Sequence, residues 1–120
     1  MSTRVLIVED NDATREALSL LLQTGGYTTA EAANGREALV YLRSHEPPRL
    51  VLLDLMMPVM DGWQFRAEQR RDPRLANVPV IVCSAQGGVE QRAGSLEAAC
   101  YLNKPVEVEE LLAVVRRYTA

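Results

Sequence analysis

Glu9, Asp10, Asp54, Ser84 and Lys104 are the residues of this 120-residue chain whose types could do chemistry together. Each follows an apolar run. Val5-Leu6-Ile7-Val8 leads into Glu9-Asp10, Leu50-Val51-Leu52-Leu53 into Asp54, and Val80-Ile81-Val82-Cys83 into Ser84. Cys100-Tyr101-Leu102 is followed at once by Asn103-Lys104-Pro105. In an open parallel sheet, sites are built at the C-terminal ends of the strands. If the four runs are neighbouring parallel strands, three carboxylates, a hydroxyl and an ammonium converge on one edge. Such a set suits a metal and phosphoryl site.

A carboxylate can attack phosphorus and form an acyl phosphate. It must be ionised, and its repulsion from the incoming group must be cancelled. Asp54 is the candidate nucleophile. Glu9 and Asp10 end what should be the adjacent strand, and three crowded carboxylates raise one another's pKa values. A divalent cation removes that penalty, and an all-oxygen donor set favours Mg²⁺, with Mn²⁺ acceptable, over zinc. Asp10 and Asp54 suit direct ligation, and Glu9 ligation through water. Lys104 offers a positive charge to a phosphoryl oxygen and Ser84 a hydroxyl donor, which are the positioning and electrostatic parts of phosphoryl transfer.

The elements that must position these residues alternate strand and helix, which predicts a parallel α/β sheet. Residues 4–8 are mostly apolar without alternation, as in a strand covered on both faces. Asn11 or Asp12 caps a helix to about Thr24, with Leu18, Leu21 and Leu22 inward and Gly25-Gly26 as its stop. A weaker strand covers 28–32. Asn34 with Glu37 opens a helix to about Ser44 as a capping-box variant, which Glu46-Pro47-Pro48 ends. The third strand runs 49–54. A loop punctuated by Pro58 and Gly62 follows it, and Asp61 with Gln64 caps a third helix to about Asp72. Pro73 and Pro79 frame the linker to a strand at 80–83. A short, glycine-interrupted helix is read over 87–98 and a strand over 99–102. In the last helix Val108, Leu111, Leu112 and Val115 fall at i, i+3, i+4 and i+7. Its acidic start (Glu107, Glu109, Glu110) and basic end (Arg116, Arg117) match the helix dipole.

The bulk numbers fit one domain over 1–120 and exclude several classes. The chain has 48% hydrophobic and 24% charged residues, ordinary for a soluble globular protein. A net charge of −3 argues against direct binding of nucleic acid. No apolar stretch approaches the roughly 20 residues that span a bilayer, and the N-terminus lacks a signal peptide's apolar centre. A cytoplasmic protein that does not engage membranes is therefore expected. Cys83 and Cys100 both lie in apolar runs and read as free buried thiols.

The chain resembles the receiver domains of two-component response regulators, of the chemotaxis-regulator kind, over nearly its whole length. The resemblance rests on the acidic pair Glu9-Asp10 and on Asp54-Leu55-Met56-Met57-Pro58-Val59-Met60-Asp61-Gly62. Ser84-Ala85 and Tyr101-Leu102-Asn103-Lys104-Pro105 complete it. It implies a flavodoxin-like, doubly wound sheet of five parallel strands in the order 2-1-3-4-5, flanked by five helices. It further implies that Asp54 accepts a phosphoryl group from a histidine of a sensor kinase or phosphotransfer protein. The chain would then catalyse only its own phosphorylation and dephosphorylation. The backbone carbonyl of Met56 joins Glu9, Asp10 and Asp54 around the metal, Ser84 and Tyr101 form a switch pair, and the Lys104–Pro105 bond is cis. The surface formed by the 87–98 helix, the fifth strand and the last helix would then control a downstream protein target. Two departures touch that surface. Seventeen positions separate Ser84 from Tyr101, about two fewer than the pattern implies, and Glu97 stands where a glycine usually precedes the fifth strand.

Plainer readings cover other residues. His45 reads as exposed and inert, and Arg66, Arg70, Arg71 and Arg74 as a solvated stripe. Trp63 reads as partly exposed, and Met56, Met57 and Met60 as loop packing. Two competing functions are an interaction module that works without phosphorylation and an aspartyl phosphatase. The phosphatase would want a second aspartate two positions after the nucleophile, where Met56 stands.

Overall fold

A computed structural model describes residues 4–84 and 97–120. Five strands form one parallel sheet: β1 Arg4–Val8, β2 Thr28–Ala32, β3 Leu50–Asp54, β4 Val80–Ser84 and β5 Cys100–Asn103. Their order is β2-β1-β3-β4-β5. The helices are α1 Asp12–Thr24, α2 Gly35–Ser44, α3 Gly62–Arg71 and α4 Val108–Thr119. The doubly wound parallel sheet in the order 2-1-3-4-5 is as expected. Of the five expected helices, four lie among the described residues. The one read over 87–98 falls mostly outside them, and positions 97 and 98, which are described, are not helical.

The sheet forms because β1, β3 and β4 are apolar on both faces and each face is covered. On one side Leu6, Val8, Leu53 and Val82 pack with Ala38, Leu39 and Leu42 of α2 and Phe65 of α3. On the other, Val5, Ile7, Leu52 and Ile81 pack with Leu22 of α1 and with Leu111 and Val115 of α4. Helix starts follow the side chains that the sequence marks. Asn11 Oδ1 accepts from the Thr14 N–H at 2.9 Å. Asn34 Oδ1 accepts from Glu37 N–H at 2.9 Å, while Glu37 reaches back to the N–H of Ala33 at 3.1 Å. Asp61 and Gln64 make a reciprocal capping box. α4 has no side-chain cap, and Val108, expected inside, is half exposed. It lies in the first turn, before the helix closes onto the sheet.

Candidate functional site

β1 and β3 are neighbours whose helical connections leave on opposite faces, so a crevice opens beyond their C-terminal ends. The acidic pair stands there. The Glu9 N–H donates to the carbonyl of Ala32 at 3.0 Å, carrying the β1–β2 ladder one residue past β1. Glu9 Oε2 accepts from Asn11 N–H at 3.1 Å, which ties the carboxylate to the α1 cap. Arg15 donates to the Glu9 carbonyl at 2.8 Å and pairs with Asp12 at 2.6 Å and Glu31 at 3.3 Å. Sequence reasoning passed over Arg15. Its signal was a position four residues after the cap, on the turn of α1 that faces β2.

Asp54 is the last residue of β3 and is in register with Cys83. Lys104 follows β5 directly, and its N–H donates to the Ser84 carbonyl at 2.8 Å, extending the β4–β5 ladder. The ladder thereby aims the lysine across the strand ends. Its Nζ donates a hydrogen bond to Glu9 Oε1 and lies 3.8 Å from Asp54 Oδ2. One carboxylate oxygen from each of Glu9, Asp10 and Asp54 lies within 4.8 Å of the others. Glu9 and Asp54 are buried and Asp10 is exposed.

The electrostatics follow from this crowding. Burial pushes the Asp54 carboxyl up to about 7; Lys104 opposes that, Glu9 adds to it, and the Met56 N–H, 3.4 Å from Oδ1, opposes it. For Lys104, burial works against the ammonium, but the Glu9 hydrogen bond and the charges of Asp54 and Glu9 win, and its pKa is raised. So the lysine is a fixed cation and Asp54 is a carboxylate in need of positive charge. The donor set, three hard oxygens with one side open to water, fits Mg²⁺. Both Glu9 oxygens already hold hydrogen bonds, which suits Glu9 to an outer role.

Ser84 and Tyr101 share a sheet face. Tyr101 is in register with Val82, two residues before Ser84, and side chains two apart on a strand point the same way. Ser84 is buried and Tyr101 partly so. The Lys104–Pro105 bond is cis. Cys83 is buried, Cys100 is partly buried, and both are free thiols.

The arginine stripe is corrected. Arg66 is buried and Arg74 lies beyond α3, so neither belongs to a solvated helix face. Arg74 donates to the carbonyl of Leu42 at 2.7 Å and to that of His45, closing the C-terminal end of α2. His45 is exposed and stacks on Tyr41, ring centroids 4.0 Å apart. Met57 and Met60 pack in the loop as expected, but Met56 is half exposed.

Known proteins are similar to this chain in sequence and in fold. The chain is 37% identical to the response regulator Rre1 of Synechocystis sp. over 97% of its own length and 51% of that protein. It is 36% identical to the DNA-binding dual master transcriptional regulator RpaA of the same organism, over 94% of its length and 47% of that protein. It thus spans about half the length of the curated relatives it matches. The expectation that nucleic acid is not bound directly gains no support from a relative so named. Among solved structures, the chemotaxis response regulator CheY4 of Vibrio cholerae superposes with a TM-score of 0.89 at 30% identity, covering 98% of this chain and 99% of that one. The receiver domain of sensor histidine kinase PA1611 of Pseudomonas aeruginosa, solved with magnesium coordinated in its active-site cleft, gives 0.90 at 26% identity, covering 99% and 98%. Residues 5–116 match the family model of the response regulator receiver domain, nearly all of both sheet faces and the crevice between them, and the chain belongs to that family.

Proposed function

We propose that the chain is a single receiver domain acting as a phosphoacceptor switch, with Asp54 as the acceptor. The observation that carries this is the setting of Asp54, whose carboxylate lies 3.8 Å from a fixed ammonium and within 4.8 Å of two further carboxylates. An Asp54 oxygen attacks the phosphorus of a phosphohistidine on a sensor kinase or phosphotransfer protein. The new O–P bond forms as the P–N bond breaks, and the electron pair leaves with the imidazole nitrogen. Lys104, oriented by Glu9, holds a positive charge toward the transferred oxygens, and the Ser84 hydroxyl donates to one of them. Asp10, Asp54 and the Met56 carbonyl would hold Mg²⁺ directly, and Glu9 would hold it through water. Bound there, the cation neutralises the carboxylates and the charge on the transferring group. The chain catalyses only the gain and loss of its own phosphoryl group. Ser84 and Tyr101 then shift together, altering the surface around β5 and α4 that a downstream protein target meets. The setting is cytoplasmic, where such a kinase presents its phosphohistidine.

Incubation with Mg²⁺ and acetyl phosphate is expected to add one phosphoryl group at Asp54, read by intact-mass and peptide mass spectrometry. Asp54→Asn abolishes it. Lys104→Ala leaves labelling possible but blunts the conformational response. Undiminished labelling of Asp54→Asn at another residue would overturn the assignment.

A further inference from the structure

Arg66 and Arg70 stand one helical turn apart on α3, and both reach Glu97, just ahead of β5. The guanidinium of Arg66 donates to the Glu97 backbone carbonyl at 3.3 Å and to Gln69 Oε1 at 2.9 Å. Arg70 pairs with Glu97 Oε2 at 3.1 Å. Gln69, wholly buried, donates in turn to the carbonyls of Leu75 and Val78 at 3.0 and 3.1 Å. The Arg66 fork is therefore braced from behind by the linker into β4. Burial, helped by Arg70, holds the Arg66 pKa below its ordinary value.

These arginines hold an uncommon piece of backbone. Glu97 has φ of 52°, in the left-handed region that costs a residue with a Cβ. Beyond it, Ala99 N–H donates to the Val80 carbonyl at 2.9 Å and begins the β4–β5 ladder. Between the two, Ala98 N–H donates to the Tyr101 hydroxyl at 3.2 Å. The carbonyl of Glu97 and the N–H of Ala98 belong to one peptide group, which is planar and rigid. One relay results, through opposite edges of the plane: Arg66 grips its oxygen and Tyr101 receives its hydrogen. The plane cannot turn without losing both bonds.

We propose that Arg66 and Arg70 latch Glu97 and thereby hold the Tyr101 ring where it lies, so that α3 sets how readily that ring moves. An exposed ion pair alone would do little. The partly buried bond from Arg66 to a backbone carbonyl gives the pair its purchase on the peptide plane. In its effect on phosphorylation the latch rests on the reading of Asp54 as acceptor; in its effect on Tyr101 it does not.

The test uses the full chain grown with fluorotyrosine, its Tyr101 ¹⁹F signal assigned by Tyr101→Phe. Arg70→Gln and Glu97→Gln alter exposed side chains and leave the fold intact by circular dichroism. Arg66→Met removes the carbonyl bond. Arg71→Gln, on the same helix but paired with Glu68, is the charge control. The Tyr101 signal is expected to shift or broaden in the first three and to match the parent in Arg71→Gln. Asp54 labelling by acetyl phosphate is expected to quicken roughly two- to fivefold in Arg70→Gln and Glu97→Gln, the scale of such a pair read as a population shift. An unmoved Tyr101 signal in both exposed variants, or the same movement in Arg71→Gln, overturns the latch even if Arg66→Met fails to fold. Labelling rates equal to the parent's overturn its coupling to the site. Failure of the parent itself to label sinks the phosphoacceptor reading, while the ¹⁹F arm still decides the latch.

Discussion

Asp54 is held where its charge is disfavoured, and that has a consequence for stability. Burial pushes its carboxyl up to about 7 in the folded chain, from the ordinary 3.8. The folded state therefore binds more protons than the unfolded one between these values, and this residue's contribution to stability falls as pH rises through that window. Above about pH 7 the penalty is complete. Lys104, whose pKa is raised, stays charged throughout and adds no slope there. In chelator, Asp54→Asn is expected to melt several degrees above the parent at pH 8, on the order of 1 kcal/mol. The difference should shrink toward pH 5. Paired thermal melts across pH check it, and a gap that does not change with pH would contradict the assigned origin. Glu9 shows the complementary design, since its two oxygens are spoken for by Lys104 and the Asn11 N–H.

At the level of elements, the close approach of α3 to β3 depends on Gly62. A Cβ there would meet the Leu55 Cα at 2.8 Å and the Asp54 carbonyl at 3.0 Å, both backbone atoms that cannot step aside. The Gly62 N–H also donates to the Leu55 carbonyl at 2.9 Å. Gly62→Ala is expected to cost about 1–3 kcal/mol, as overpacking does, and to slow Asp54 labelling by moving the residue's own carbonyl. Urea unfolding and the acetyl phosphate assay measure the two effects. The same loop carries Val59 at φ of 69°, with Met60 N–H donating to the Pro58 carbonyl at 2.8 Å around it. A β-branched residue in that conformation is a genuine outlier, and it is tolerated where the loop is fastened on both sides. One fastening is the Gly35 N–H, which donates to the Met60 carbonyl at 3.0 Å.

Across the whole molecule, the site is a meeting of four strand ends that are distant in sequence, and a cation bound between the carboxylates after β1 and at the end of β3 should stabilise the fold that brings them together. Mg²⁺ is expected to raise the melting temperature at pH 8 by an amount that grows with the logarithm of its concentration. The gain is about 2.7 kcal/mol at one hundred times Kd, and it should be lost in Asp10→Ala. Among the described residues no helix is long and apolar enough to cross a membrane. Much of this architecture was legible beforehand because its signals are local. Unalternating apolar runs declare strands covered on both faces, and Asn11, Asn34 and Asp61 declare helix starts, since a cap needs only the next three residues. The arginines were not legible: Arg66, Arg70 and Arg74 recur every four residues and look like one solvated stripe. The helix ends at Arg71, Arg66 turns inward to a partner 31 positions on, and Arg74 crosses to α2, 32 positions back. By itself the sequence determined the alternation of strands and helices and which residues stand at strand ends, because those depend on neighbours in the chain. Only the tertiary structure decided which charges are buried and whom they hold, because pairing across tens of residues is settled by the packing of elements and leaves no period to read.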